Sequence, residues 1–392
     1  MSQLSCGHTA SNFNTLMKTI TRILAVAALA PACYASVPVG DNAEIFLTGT
    51  VGVRSDSNIY MSPSDTEDTI LDFNPGVQLV FGNTSVMKGS FSLTESFSVY
   101  SDHDDLNDEL LSTSANTSYD DGKTKLNFNA SFAEVNQNSV DTRPSGGDFL
   151  IRRDVFNIGT MGEVSVTEKS SVAAGIQYSQ SRFDLAGFSD SEAIAIPLNY
   201  FYELTPKVDL SLGYRYRDRA ESIGFDTEDH FLSVGARGEF TPKLTGQFAV
   251  GVTQRSFSHK VLRRGDDELL GVDSSLTYAA SPKTSLLLGV SNDFDTNSQG
   301  SQQRNFAIRG TSTTAISSEL SVTVSLAYRA IDYYQATPAR IDDYFEGHLG
   351  ATYTVNEHVS LTGAYSYRSN DSDLPTSNFT GNVLSLAANL RF

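Results

Sequence analysis

Residues Val208-Asp-Leu-Ser-Leu-Gly-Tyr-Arg-Tyr-Arg217 alternate without a break. Successive side chains of a strand point to opposite sides, so Val208, Leu210, Leu212, Tyr214 and Tyr216 share one face. Asp209, Ser211, Gly213, Arg215 and Arg217 share the other. A turn signal, Thr205-Pro-Lys207, precedes this ribbon, and it returns as Thr241-Pro-Lys243 and Ser281-Pro-Lys283. One hairpin per roughly forty residues is a repeat, and a repeat of two-faced ribbons must cover every apolar face with something.

A soluble sandwich needs a second sheet over each greasy face, and parallel crossovers need longer connections than these turns. A closed cylinder with its oily side in lipid satisfies the pattern. The reading is all-β: a transmembrane antiparallel up-and-down β-barrel of about 18 strands, with short turns on one side and long loops on the other. Aromatic residues fall at two heights. Tyr214, Tyr216, Tyr328, Tyr365 and Tyr367 sit near the long loops, and Tyr119, Tyr202, Phe240, Tyr278 and Tyr353 near the short turns, as girdles at two headgroup layers would. Register is weakest over 101–190, and Pro75 inside an otherwise regular strand predicts an edge, a bulge or a kink.

No run in the body of the 392 residues approaches the ~20 apolar residues of a membrane helix. Residues 1–35 read as a signal peptide. Met17-Lys-Thr-Ile-Thr-Arg22 is basic, Ile23 to Ala30 is apolar, and Cys33-Tyr-Ala35 offers small residues before a cut after Ala35. Residues 1–16 read as an upstream extension of a start at Met17; lipid attachment at Cys33 and an uncleaved start are the alternatives. Residues 36–392 are then one barrel domain without cysteine, because Cys6 and Cys33 precede the cut. The destination is the bacterial outer membrane. A formal charge of −18 excludes a basic nucleic-acid groove.

The last strand, Leu384, Leu386, Ala388, Leu390 and Phe392, alternates to a terminal Phe. It resembles the C-terminal signal read by the barrel-assembly machinery, with Leu386, Ala388, Leu390 and Phe392 as its residues.

Only the polar faces meet a solute. Thr48, Thr50, Asn74, Gln78, Ser211, Gln247, Thr323 and Ser360 are typical of them. The recurrent charge is arginine, and Arg54, Arg215, Arg217, Arg237, Arg255, Arg309, Arg329 and Arg368 are the pore-lining candidates. A guanidinium stays charged and presents a fixed fork to an oxyanion. These groups either attract an anionic solute, hold an acidic loop as a constriction, or pair with wall acids such as Asp209, Glu239, Asp273 and Asp293. Acidic runs at Asp102–Asp105, Asp108-Glu109, Asp266–Glu268, Asp293–Asp295, Asp342-Asp343 and Asp371–Asp373 read as solvated loops; none has the EF-hand spacing. They could bind Ca²⁺ or Mg²⁺ bridging lipopolysaccharide. His103, His230, His259, His348 and His358 form no nucleophile or metal signature, so the expectation is no catalysis, no cofactor and no metal.

Asp56-Ser-Asn-Ile-Tyr60 and Asp65-Thr-Glu-Asp-Thr-Ile-Leu-Asp-Phe-Asn-Pro-Gly-Val77 resemble the opening of the putative β-barrel porin 2 family. The specific resemblance covers about residues 44–81. It implies an outer-membrane barrel, and some members accompany exopolysaccharide or exosortase systems. Three functions follow as expectations: passive diffusion of hydrophilic solutes, an accessory role in exopolysaccharide export, and a plugged structural or adhesive barrel. The expected partners are outer-membrane lipids and lipopolysaccharide, the assembly machinery, and polysaccharide or small hydrophilic solutes.

Overall fold

In the computed structural model, residues 36–142, 147–258, 266–334, 336 and 339–392 are described. The expected signal segment 1–35, with the lipid-attachment alternative at Cys33, lies outside the described residues, as does His259. A two-residue strand, β1 (Val37–Pro38), pairs with the first wall strand. The wall is built from β2 (Ala43–Asp56), β3 (Asp68–Phe81), β4 (Met87–Tyr100), β5 (Asp108–Asp120), β6 (Thr124–Asn136) and β7 (Arg152–Thr167). It continues through β8 (Ser170–Phe183), β9 (Ser191–Thr205), β10 (Val208–Glu221), β11 (Asp226–Thr241), β12 (Leu244–Ser258) and β13 (Asp267–Ser281). It ends with β14 (Thr284–Thr296), β15 (Gln302–Ala315), β16 (Leu320–Tyr333), β17 (Arg340–Thr354), β18 (Val359–Ser372) and β19 (Phe379–Arg391).

Every neighbouring pair is antiparallel, and β19 returns to β2 with Leu390 opposite Gly49 and Leu386 opposite Val53. The eighteen wall strands β2–β19 therefore form a closed barrel. Closure gives wall strands partners on both sides, the condition for β-structure in hydrocarbon. At the seam, the Leu47 and Phe392 backbones exchange N–H···O bonds of 2.7 and 2.9 Å, and the Phe392 ring stacks on His358.

The parity expectation holds. Leu210, Leu212, Tyr214, Leu232, Val252, Leu326, Leu361 and Leu386 are exposed on the outer face, while Arg215, Arg217 and Ser211 line the lumen. Tyr202, Tyr278 and Tyr353 stand exposed near the turns, and Tyr214, Tyr328 and Tyr365 toward the loops.

The repeated turn has a local cause. The Thr205, Thr241 and Ser281 hydroxyls each accept the backbone N–H of the lysine two residues on, at 3.3, 3.3 and 3.2 Å. At Asp120–Lys123, Gly122 takes a left-handed φ of 85°. The Asp121 carboxylate accepts the Lys123 and Thr124 N–H groups, which holds its pKa below the usual range.

One expectation needs correction, the placing of the acidic runs in loops. The strands run 13 to 16 residues, beyond the ~9–11 that span hydrocarbon. The ladder continues past the apolar band, because backbone pairing does not depend on side-chain polarity. For the same reason Asp108-Glu109, Asp267-Glu268, Asp293–Asp295, Asp342-Asp343 and Asp371 lie in strands rather than in solvated loops. Pro75 does interrupt its ladder: pairing of β3 with β4 lapses between Phe73↔Phe97 and Gly76↔Thr94.

Candidate functional site: a loop-narrowed polar lumen

Hydroxyls and amides cover the lower lumen wall and bond to one another across strands. Thr50 donates to Asn389, Asn389 to Thr362, and Thr352–Thr362, Thr311–Ser325 and Ser92–Ser114 pair at 2.8 to 3.2 Å. A recess of about 610 Å³ at the periplasmic end is lined by Thr48, Thr50, Asn74, Thr94, Asn389 and Arg391. The hydroxyls and amides interact with water and polar solutes without a fixed charge, while Glu357 and Arg391, the latter over the Phe46 ring, supply the charges of this recess.

The outer end differs. There the lumen-facing parity turns apolar at Ile70, Tyr100, Ile331, Tyr333, Tyr344 and Phe379, all buried. The loops above fold inward onto these positions. Met61 of the β2–β3 loop and Val140 of the β6–β7 loop pack with Ile331, Tyr333, Tyr344 and Phe379. Ile59 and Tyr60 pack with Ile70 and Tyr100. Burying apolar tips inside the mouth drives this inward fold. Asn58, with no exposed surface, fixes the β2–β3 loop. Its amide donates to the Ser62 and Thr380 carbonyls and to Asp65, and its oxygen accepts the Ser62 N–H. Met61 and Asp65 are held at φ of 54° and 47°. The Asp56–Tyr60 motif thus builds the constriction.

Sequence reasoning missed these loop tips. The signal was present as an apolar Ile59-Tyr60-Met61 run inside a polar loop and as apolar residues at lumen parity.

Seven of the eight expected arginines form ion pairs. Arg54 pairs with Asp72 at 2.9 Å, Arg368 with Asp56 at 2.9 Å, and Arg237 with Glu163 at 2.6 Å and Asp209 at 3.0 Å, stacked on Phe201. Arg215 and Arg217 share Asp293 at 2.7 and 3.1 Å. Asp229 lies between Arg217 at 2.5 Å and Arg255 at 2.7 Å. Arg255 is fully buried and also reaches Gln302 and the Asp295 carbonyl. Arg329 grips Asp141 of the inward β6–β7 loop at 2.7 and 3.0 Å. Arg309, exposed and flanked by Gly289 and Ala327, makes no ion pair among the described residues. Of the expected wall acids, Asp209 and Asp293 take arginines, whereas Glu239 pairs with Lys207. Asp273 has no arginine partner among the described residues.

The arginines therefore do two of the three things expected of them: they pair with wall acids, and one holds a loop. Beside Arg215, Arg217 and Arg219 a recess of about 540 Å³ opens against Asn129, Asn157 and Gln177. Its guanidiniums are matched by Asp229, Asp293 and Asp295, with Arg219 on Asp295 at 2.8 Å. His348 faces the lumen bonded to Ser366. Among the described residues no group of His, Cys, Asp and Glu could hold a metal ion.

A closed antiparallel barrel with a lipid-facing exterior, a polar lumen and inward loops defines a transmembrane β-barrel of the bacterial outer-membrane type. Residues 226–392 match the family described as Putative beta-barrel porin 2. It is the same family that residues 44–81 resemble, and the match covers less than half of the chain.

No curated protein matches the chain. Among solved structures, the outer membrane protein OpdK from Pseudomonas aeruginosa is similar at 10% identity over 89% of this chain and 99% of its own, with a TM-score of 0.45. OccAB3 from Acinetobacter baumannii gives 11% over 90% and 100%, with 0.47. The siderophore receptor PiuA from Acinetobacter baumannii gives 8% over 91% and 82%, with 0.45. Similarity at this level carries no functional weight.

Proposed function

We propose that the barrel is an outer-membrane porin through which small hydrophilic solutes diffuse. The observation that carries this is a lumen wall rich in hydroxyls and amides, whose interspersed arginines are mostly paired with wall carboxylates. Solutes exchange water for wall hydroxyls at little cost, so no step needs a catalyst or an energy source. Ion-paired arginines give the constriction fixed dipoles and little net charge, which favours weak charge selectivity. The matching family, described as a β-barrel porin, supports the same reading.

In this reading residues 1–35 direct export, the strand ending in Phe392 engages the assembly machinery, and the outer face meets phospholipid and lipopolysaccharide. Purified protein in planar bilayers tests the porin: stepwise ohmic conductance supports it, and an electrically silent, folded barrel favours the plugged structural alternative.

A further inference from the structure

The wall opens between β13 and β14, as it also does between β5 and β6 above Ser112↔Ala133. Pairing of β13 with β14 ends at Val272↔Asn292, although β13 continues upward along β12 to Asp267 and β14 continues along β15 to Thr296. Pairing of β15 with β16 likewise ends at Arg304↔Asp332, although β16 continues along β17 to Tyr333. Hairpin 293–303 is thus detached from β13, and on its other side it lies beyond the end of the β15–β16 ladder.

It leans inward. Phe294 has the parity of the outer residues Leu288 and Val290, yet it is 1% exposed and packed against Arg255 of β12. Guanidiniums take the place of the lost ladder. Arg217 donates to the Phe294 carbonyl at 3.0 Å and Arg255 to the Asp295 carbonyl at 3.1 Å. At the tip, Ser298 bonds the Asp141 carbonyl, and the Ser189 N–H donates to the Ser298 carbonyl at 2.7 Å. Gly300 docks on the β10–β11 loop so closely that a Cβ there would lie 2.3 Å from the Ile223 carbonyl.

The vacated edge of β13 is still available. The Asn292 side chain bonds the Leu270 carbonyl at 2.6 Å, standing in for a ladder bond, and Leu270 is 62% exposed. Extending the existing register by four steps would set Gly271 against Asp293, Leu270 against Phe294, Leu269 against Asp295 and Glu268 against Thr296. Phe294 would then face outward beside Leu270. The inward seat also leaves the buried Thr227, Thr253 and Thr296 hydroxyls and the Gln302 amide nitrogen without partners. One segment with two hydrogen-bonding solutions is a two-state element.

We propose that hairpin 293–303 is the gate of the channel. It sits inward, clamped by Arg217 and Arg255, when the mouth is narrowed, and pairs with β13 in the wall when the mouth is open. The gate rests on the porin reading, and two kinds of measurement separate them.

The chain's only cysteines, Cys6 and Cys33, precede the barrel, so engineered pairs report cleanly. In lipid vesicles under oxidant, Leu270→Cys with Phe294→Cys should cross-link, and so should Glu268→Cys with Thr296→Cys, which leaves Phe294 intact. Ser189→Cys with Ser298→Cys should lock the inward seat. If both wall pairs stay reduced in folded barrels while the inward pair closes, the second seat does not exist and the gate is overturned. In bilayers, the oxidised wall lock should conduct roughly twofold or more above the oxidised inward lock, each reverting with reductant. Equal conductance in the two locks also overturns the gate. Cross-linking at both seats with no current from any form would overturn the porin instead.

Discussion

Arg329 on β16 holds Asp141, 188 residues earlier in the chain, through two side-chain bonds of 2.7 and 3.0 Å. One strand of the wall thereby fixes the loop that narrows the mouth. The Asp141 carbonyl in turn accepts both the backbone N–H and the hydroxyl of Ser298, tying a second inward element to the first.

Replacing Asp141 by Asn should loosen this loop without unfolding the barrel. A hydrogen bond to a charged group contributes about 1.5–3 kcal/mol, so the loop-displaced population should rise roughly tenfold or more. Single-channel recording should show larger, noisier steps, with heat-modifiable migration of the folded barrel unchanged. Unaltered step size and noise would mean that the pair does not hold the constriction.

Ile70 seats Ile59 and Tyr60 and has no exposed surface. Ile70→Ala should weaken the seat of the β2–β3 loop by about 2–5 kcal/mol, the usual range for emptying a packed site. Limited proteolysis of intact proteoliposomes should then cut within 57–67, where the parent chain resists.

Asp229 is 1% exposed between two guanidiniums. Asp229→Asn would leave Arg217 and Arg255 facing one another with part of their charge unanswered. Breaking a buried pair in this way costs about 3–5 kcal/mol. Urea unfolding in lipid vesicles should show the loss as an earlier midpoint.

Charge selectivity should divide along the ion pairs. Arg309 pairs with no carboxylate among the described residues, so Arg309→Gln alone should shift the reversal potential toward cations. Arg215→Gln should shift it less, because Arg217 still holds Asp293. Removing Arg215, Arg217, Arg255 and Arg329 together should produce a strong shift, since Asp141, Asp229 and Asp293 lose their partners. Reversal potentials across a salt gradient measure all three.

Deleting Phe392 removes the two backbone bonds to Leu47 and the stack on His358 at the closing seam. The heat-modifiable fraction in the membrane should fall, while channels that do assemble keep the parent conductance.

Much of the barrel was legible along the chain because strand periodicity is local. Alternation at Val208–Arg217 sorts lipid from lumen, and Thr205-Pro-Lys207 marks a turn through a bond spanning two residues. Even in 101–190, where alternation is weak, strand positions followed from the turn at Asp120–Lys123 and the neighbouring apolar runs. Strand ends were not legible, since β17 keeps pairing through Asp342-Asp343 wherever a neighbour offers a ladder.

The amino-acid order by itself determined the closed, two-faced wall and its place in a membrane, because each residue's face depends on its immediate neighbours. The mouth was decided only in three dimensions. Asn58 finds the Thr380 carbonyl 322 residues away, Asp141 finds Arg329, and hairpin 293–303 leaves its ladder to meet Arg217 and Arg255. Closing the barrel brings those groups together, and no pattern confined to one segment encodes which distant partner a loop will meet.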